Sequence, residues 1–113
     1  VAIATLPACV GNRVVNTYGE ITSAEASIRE ARDAGADEKV PQVLRRAEQL
    51  ALQARRQLDS NDFDLAHRSA EEAKALADLA ATGSRVVHTE EEIQSLRRDV
   101  ANLQAAHDAA EGN

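Results

Sequence analysis

Apolar residues recur at three- and four-residue intervals along most of the chain, the repeat of one face of an α-helix. Ile21, Ala24, Ile28 and Ala31 make the first such stripe. Val40, Leu44, Ala47, Ala51, Ala54 and Leu58 make the second, widened by Val43 and Leu50. Phe63, Ala66, Ala70, Ala73, Ala77 and Ala80 make the third, with Leu65, Leu76 and Leu79 flanking it. Boundary signals separate the stripes. Thr22 and Glu25 have the spacing of a capping box, which predicts a helix start there. Gly35 predicts its left-handed end. Pro41 suits a first helical position. The polar run Asp59-Ser60-Asn61-Asp62 closes the second helix, and Asn61 or Asp62 caps the third. Glu25 with Arg29, and Asp64 with Arg68, stand at i,i+4 and predict pairs along their own helices.

The last segment is the most regular. Ile93, Leu96, Val100 and Leu103 keep a 3–4–3 spacing, as at the a and d positions of a coiled coil, and the register runs back through Val86 to Leu79. Gly83-Ser84 and a second capping-box spacing at Thr89 and Glu92 argue for a break. A helix-interior glycine costs only about 1 kcal/mol and the seam keeps its phase across it, so one long helix that could bend at Gly83 is the expectation. At 1.5 Å per residue that helix is about 70 Å long, against about 20 Å and 27 Å for the first two. Two short helices cannot cover one long one. Val86, Ile93, Leu96, Val100 and Leu103 should therefore lie exposed as a partner interface, toward a second copy or a larger helical protein. The expected fold is all-α. It is an elongated antiparallel three-helix bundle over residues 21–82, whose long C-terminal helix continues as a coiled coil over residues 84–110.

Composition adds one constraint. Alanine supplies about a fifth of the chain, and the aromatics are Tyr18 and Phe63. Alanine buries little area, so the core should be thin and the helices close. The net charge of −6 argues against binding nucleic acid or anionic lipid non-specifically. Arg45-Arg46, Arg55-Arg56 and Arg97-Arg98 alternate with acids and read as solvated faces.

No catalytic or cofactor chemistry is legible. His67, His88 and His107 stand about twenty residues apart with no metal-ligand spacing. The run from Asp59 to Asp64 lacks the glycine and distal glutamate of a calcium loop. Glu90-Glu91-Glu92 reads as a helix start that favours the dipole. No glycine-rich phosphate loop is present. The expectation is no enzyme, no metal and no cofactor.

The opening Val1 to Cys9 has a different character. Leu6-Pro7-Ala8-Cys9 resembles a bacterial lipobox, with a leucine three residues before the cysteine and a small residue just before it. On that reading residues 1–8 are the remnant of a signal peptide, and Cys9 carries a lipid that anchors the protein to a membrane. Residues 9–20 then form the lipidated cysteine and a tether. Val10 to Glu20, with two glycines and two asparagines, reads as extended chain reaching roughly 35 Å at about 3.3 Å per residue. No apolar run approaches the roughly 18 residues of a membrane span.

Ser23-Ala24-Glu25 through Gly35-Ala36, then Val40-Pro41, Leu44 to Ala54, Asn61-Asp62-Phe63-Asp64-Leu65-Ala66 and Glu71-Glu72-Ala73 together resemble an uncharacterised family of bacterial envelope proteins. These carry an alanine-rich three-helix domain behind a lipobox, sometimes ahead of an OmpA-like domain. The resemblance covers about residues 23–81 and rests on helix caps. It implies a fold and a location, that of a lipoprotein on the periplasmic face of the outer membrane, while Cys9 and the exposed seam point to a structural scaffold or adaptor. The second helix, turn and third helix are also similar to one tetratricopeptide hairpin, without the repeats such a fold needs. A soluble helical protein-binding module, chaperone-like or adaptor, is the alternative reading.

Overall fold

The computed structural model describes residues 8–112, with side chains from residue 11 onward. Its order is α1 (Ala8–Asp33), α2 (Ala36–Lys39), α3 (Pro41–Asp59) and α4 (Phe63–Glu111). Among the described residues there is no strand. The fold is the expected elongated, all-α bundle with a long C-terminal helix.

Side-chain pairs fix the directions of the helices. Glu25 meets Arg55 at 2.5 Å and Arg32 meets Glu48 at 2.5 Å, so α1 and α3 run antiparallel. Arg13 meets Asp64, Glu20 meets His67 and Glu30 meets Arg85, so α1 and α4 run parallel. α3 lies antiparallel to both, with Gln57 accepting a hydrogen bond from Ser69 at one end and Val40 beside Gly83 at the other.

Among the described residues, twelve of the sixteen buried apolar ones are alanine; the larger four are Ile21, Ile28, Leu44 and Leu50. Every alanine of the first three predicted stripes is buried, as are Ile21, Ile28, Leu44 and Leu50. Val40, Val43, Leu58 and Leu76 pack half-buried around them. Leu65 and Leu79, expected to flank the buried face, instead point outward at 50% and 57% exposure.

The turns follow the local chemistry. Gly35 adopts φ +83° after α1, a conformation a side chain strains, and its N–H bonds to the Arg32 carbonyl. Pro41 opens α3. Asn61 takes φ 60°. Its N–H bonds to Leu58 O and that of Asp62 to Gln57 O, the paired bonds of a Schellman motif. Asn61 thus ends α3, while Asp62 stands before α4 without a side-chain cap bond.

α4 is unbroken through Gly83. A methyl group there would lie 3.5 Å from Val40, ordinary contact. The neighbouring Ser84 is fully buried and donates a 2.5 Å hydrogen bond to the Ala34 carbonyl. That bond closes the corner between α1 and α4 without interrupting the helix.

Both capping boxes prove to be mid-helix sequences. Thr22 donates to the Tyr18 carbonyl and Thr89 to the Arg85 carbonyl, each one turn back. Glu25 reaches across to Arg55 rather than along its own helix to Arg29, and Asp64 pairs with Arg13 rather than Arg68. Within Glu90-Glu91-Glu92, also mid-helix, Glu91 pairs with Lys39 and Glu92 with His88.

The extended tether over residues 10–20 is overturned in the same way, because that segment belongs to α1. Thr17 is buried at 5% exposure. Ile21 packs with Ala54, Ala70 and Leu58. The glycine and asparagine propensities that suggested a loop amount to about 1 kcal/mol per residue, and packing one face against α3 and α4 outweighs them. The signal remnant proposed for residues 1–8 and the lipidated side chain of Cys9 fall outside what the structure describes, apart from the helical backbone at Ala8 and Cys9.

Candidate partner-binding surface

Bundle packing on α4 ends at Ser84, the last buried residue of that helix. Beyond it Lys39 reaches Glu91, and from His88 onward every described residue is exposed. The free part of α4, Glu92 to Glu111, is therefore a single helix about 30 Å long.

The five residues singled out by spacing begin at Val86, just past Ser84, and continue along this free part to Leu103. Val86 is 59% exposed, Ile93 44%, Leu96 63%, Val100 60% and Leu103 71%. An unbroken helix places them on one side, with Leu79 continuing the row toward the bundle. That side is roughly opposite the one α4 buries. Ala77, Ala80, Ala81 and Ser84 face inward while Leu79 and Val86 stay open to solvent. The seam is therefore presented outward from its first residue.

Thr82, Arg85, Val86, Thr89, Glu90 and Ile93 line a shallow open groove at its base. Arg85 and Glu90 were not singled out by the apolar spacing. Their signal was their place beside it, at the positions next to a and d.

The remaining polar features hold the bundle together. Arg55 makes two bonds to Glu25, 2.5 and 2.7 Å, a fork that fits a carboxylate. It is the first reason the Glu25 carboxyl lies below its ordinary pKa. Asp78 is likewise lowered, chiefly by the Lys74 ammonium with a hydrogen bond from Ser27. No group of three or more metal-ligating side chains converges among the described residues.

His67 joins the near end of α1 to α4. Its Nδ1 is 2.8 Å from Glu20 and its Nε2 3.3 Å from Glu71. The hydrogen bond to Glu20, its charge, and the nearby Glu71 and Asp64 raise the imidazole above its ordinary 6.5. A raised folded-state pKa gives stability that is complete below about 6.5 and is lost as pH rises through the raised value. We expect amide protection over Arg13 to Glu20, corrected for intrinsic exchange, to fall across that window. The fall should be absent in Glu20→Gln; an equal fall in both proteins would remove His67 as the cause.

Residues 19–96 match the model of a domain family of unknown function, DUF4398. The chain belongs to this family. The DUF4398 segment begins inside α1 and takes in the rest of the bundle and the seam as far as Leu96. Val100 and Leu103 lie beyond it. No curated protein and no solved structure matches the chain.

Proposed function

We propose that this DUF4398 protein is a non-catalytic lipoprotein of the bacterial cell envelope that works as a scaffold or adaptor through helix–helix contacts. The observation that carries the reading is the seam from Val86 to Leu103, apolar, outward-facing and uncovered by its own bundle. A large apolar row held open to water marks a contact surface rather than a core.

The envelope location rests on the lipobox-like Leu6-Pro7-Ala8-Cys9 and the resemblance to alanine-rich lipoproteins. The parallel arrangement of α1 and α4 gives an anchor at Cys9 a definite consequence. Arg13 is level with Asp64, so Leu103 stands about 60 Å farther along the axis. A lipid at the start of α1 would hold the bundle at the bilayer and carry the seam away from it.

The test is metabolic labelling of the full-length precursor with a radiolabelled fatty acid in a bacterial host, followed by fractionation. We expect label and membrane association, both lost in Cys9→Ser. An unlabelled protein in the soluble extract would replace this reading with that of a soluble helical binding module.

A further inference from the structure

We propose that the partner of the seam is a second copy of this chain, paired in parallel and in register as a two-stranded coiled coil. The inference rests on the helix-contact reading above and names its occupant.

The heptad register over α4 decides the pairing. Leu79, Val86, Ile93, Val100 and His107 occupy a, and Thr82, Thr89, Leu96, Leu103 and Ala110 occupy d. β-branched residues at a with leucine at d favour two parallel strands over three or four. Val86, Ile93 and Val100 against Leu96 and Leu103 fit that rule.

The flanking charges fit the same geometry. In a parallel pair each g residue faces the e residue of the next heptad on the other helix. Arg85 at g, which in its own chain meets Glu30, then also faces the second copy's Glu90, and Glu92 faces the second copy's Arg97. Two-fold symmetry doubles both attractions. Farther along, Asp99 faces Gln104 and Ala106 faces Glu111, so no like charges meet. An antiparallel pair matches g with g and e with e. Centred on the same seam, it sets Arg97 beside the second copy's Glu90 but Glu92 beside the second copy's Asp99, so each attraction is offset by a repulsion. The charge pattern therefore selects the parallel arrangement.

The fold leaves room for it. The seam is on the side of α4 away from α1 and α3, as the exposure of Leu79 and Val86 beside buried Ala80 and Ser84 records. A second helix can lie against it without displacing the bundle. Parallel pairing also sets both bundles at one end, as two anchors in one membrane require. Among the described residues, Glu92 to Glu111 is exposed throughout, and pairing supplies the tertiary packing from which most helical stability in proteins comes.

Purified chain is examined by sedimentation equilibrium from low micromolar to submillimolar concentration, in a Cys9→Ser background. We expect monomer passing to dimer. Arg97→Glu should weaken the dimer about tenfold by turning two attractions into repulsions, and Glu92→Lys with Arg97→Glu should restore most of the loss. Val100→Cys should oxidise to a covalent dimer, since a meets a only in a parallel register; Ala105→Cys, on the opposite face, should not. A monomer throughout, a trimer, a failed charge swap or equal crosslinking at both positions would each overturn the proposal. These measurements need no membrane. A monomer would overturn the pairing and leave the envelope reading standing, and a dimer found in the soluble extract would do the reverse.

Discussion

Ala77→Leu is expected to lower the stability of the bundle by about 3 kcal/mol or more, at the upper end of what overpacking costs. Ala77 has no exposed surface and belongs to a cluster with Ala24, Ile28, Ala73 and Ala80. A core built on methyl groups lets helices approach closely, and close helices leave no space for an isobutyl group. Either the leucine takes a strained rotamer or the helices separate and release the contacts of their neighbours. A small domain has only about 5–15 kcal/mol in total, so the change removes a large share, and the melting temperature should fall by roughly 15 °C. Ala75→Leu is the control. It makes the same chemical change in the same helix at an exposed site, and helix propensity barely separates the two residues. Equal losses for the two variants in urea unfolding would show that the alanine face is not close-packed.

That face was the most legible feature of the sequence because burial and helical spacing are the same signal. Every alanine of the first three stripes is buried, with Ile21, Ile28, Leu44 and Leu50, and Gly35 and Pro41 mark boundaries because each has one dominant conformational use. The misread features were short polar motifs whose meaning depends on what precedes them. A Thr-x-x-Glu spacing caps a helix only if the chain before it is not helical. At Thr22 and Thr89 it is helical, so the hydroxyl turns back to a carbonyl one turn earlier and the glutamates Glu25 and Glu92 take other partners. Val10 to Glu20 fails for a related reason. Its glycines and asparagines disfavour helix locally, whereas the packing that makes it helix lies across the bundle, where Arg13 meets Asp64 and Glu20 meets His67, residues about fifty apart in sequence.

The candidate surface was legible for a different reason, namely length. Helices of unequal span cannot bury one another completely, and span follows from residue count alone. Spacing alone could not say which way the seam faces relative to the bundle. The angle between two stripes on one helix follows from their offset only if the helix runs unbroken between them, and Gly83-Ser84 left that open. With α4 continuous, the offset places Leu79 and Val86, where the seam begins, on the side opposite the alanine face.

Leu44→Ala and Leu96→Ala separate the two sides experimentally. Both remove the same three carbons from a helix. Leu44 is 3% exposed in the main core, and its loss should cost about 3 kcal/mol, the transfer term plus the cavity left behind. Leu96 is 63% exposed and supports nothing in its own chain, so in dilute solution its loss should change stability by no more than about 0.5 kcal/mol. The difference is then traced through concentration. If the seam holds a second chain, the parent protein gains melting temperature as it is concentrated, because association draws on the folded state alone. Leu96→Ala should flatten that dependence and leave the dilute melting temperature where it was. Leu44→Ala should lower the whole curve and keep its slope. A loss of dilute stability in Leu96→Ala comparable to that of Leu44→Ala would mean that Leu96 is part of the core of its own chain. The seam could then no longer be regarded as a surface kept for a partner.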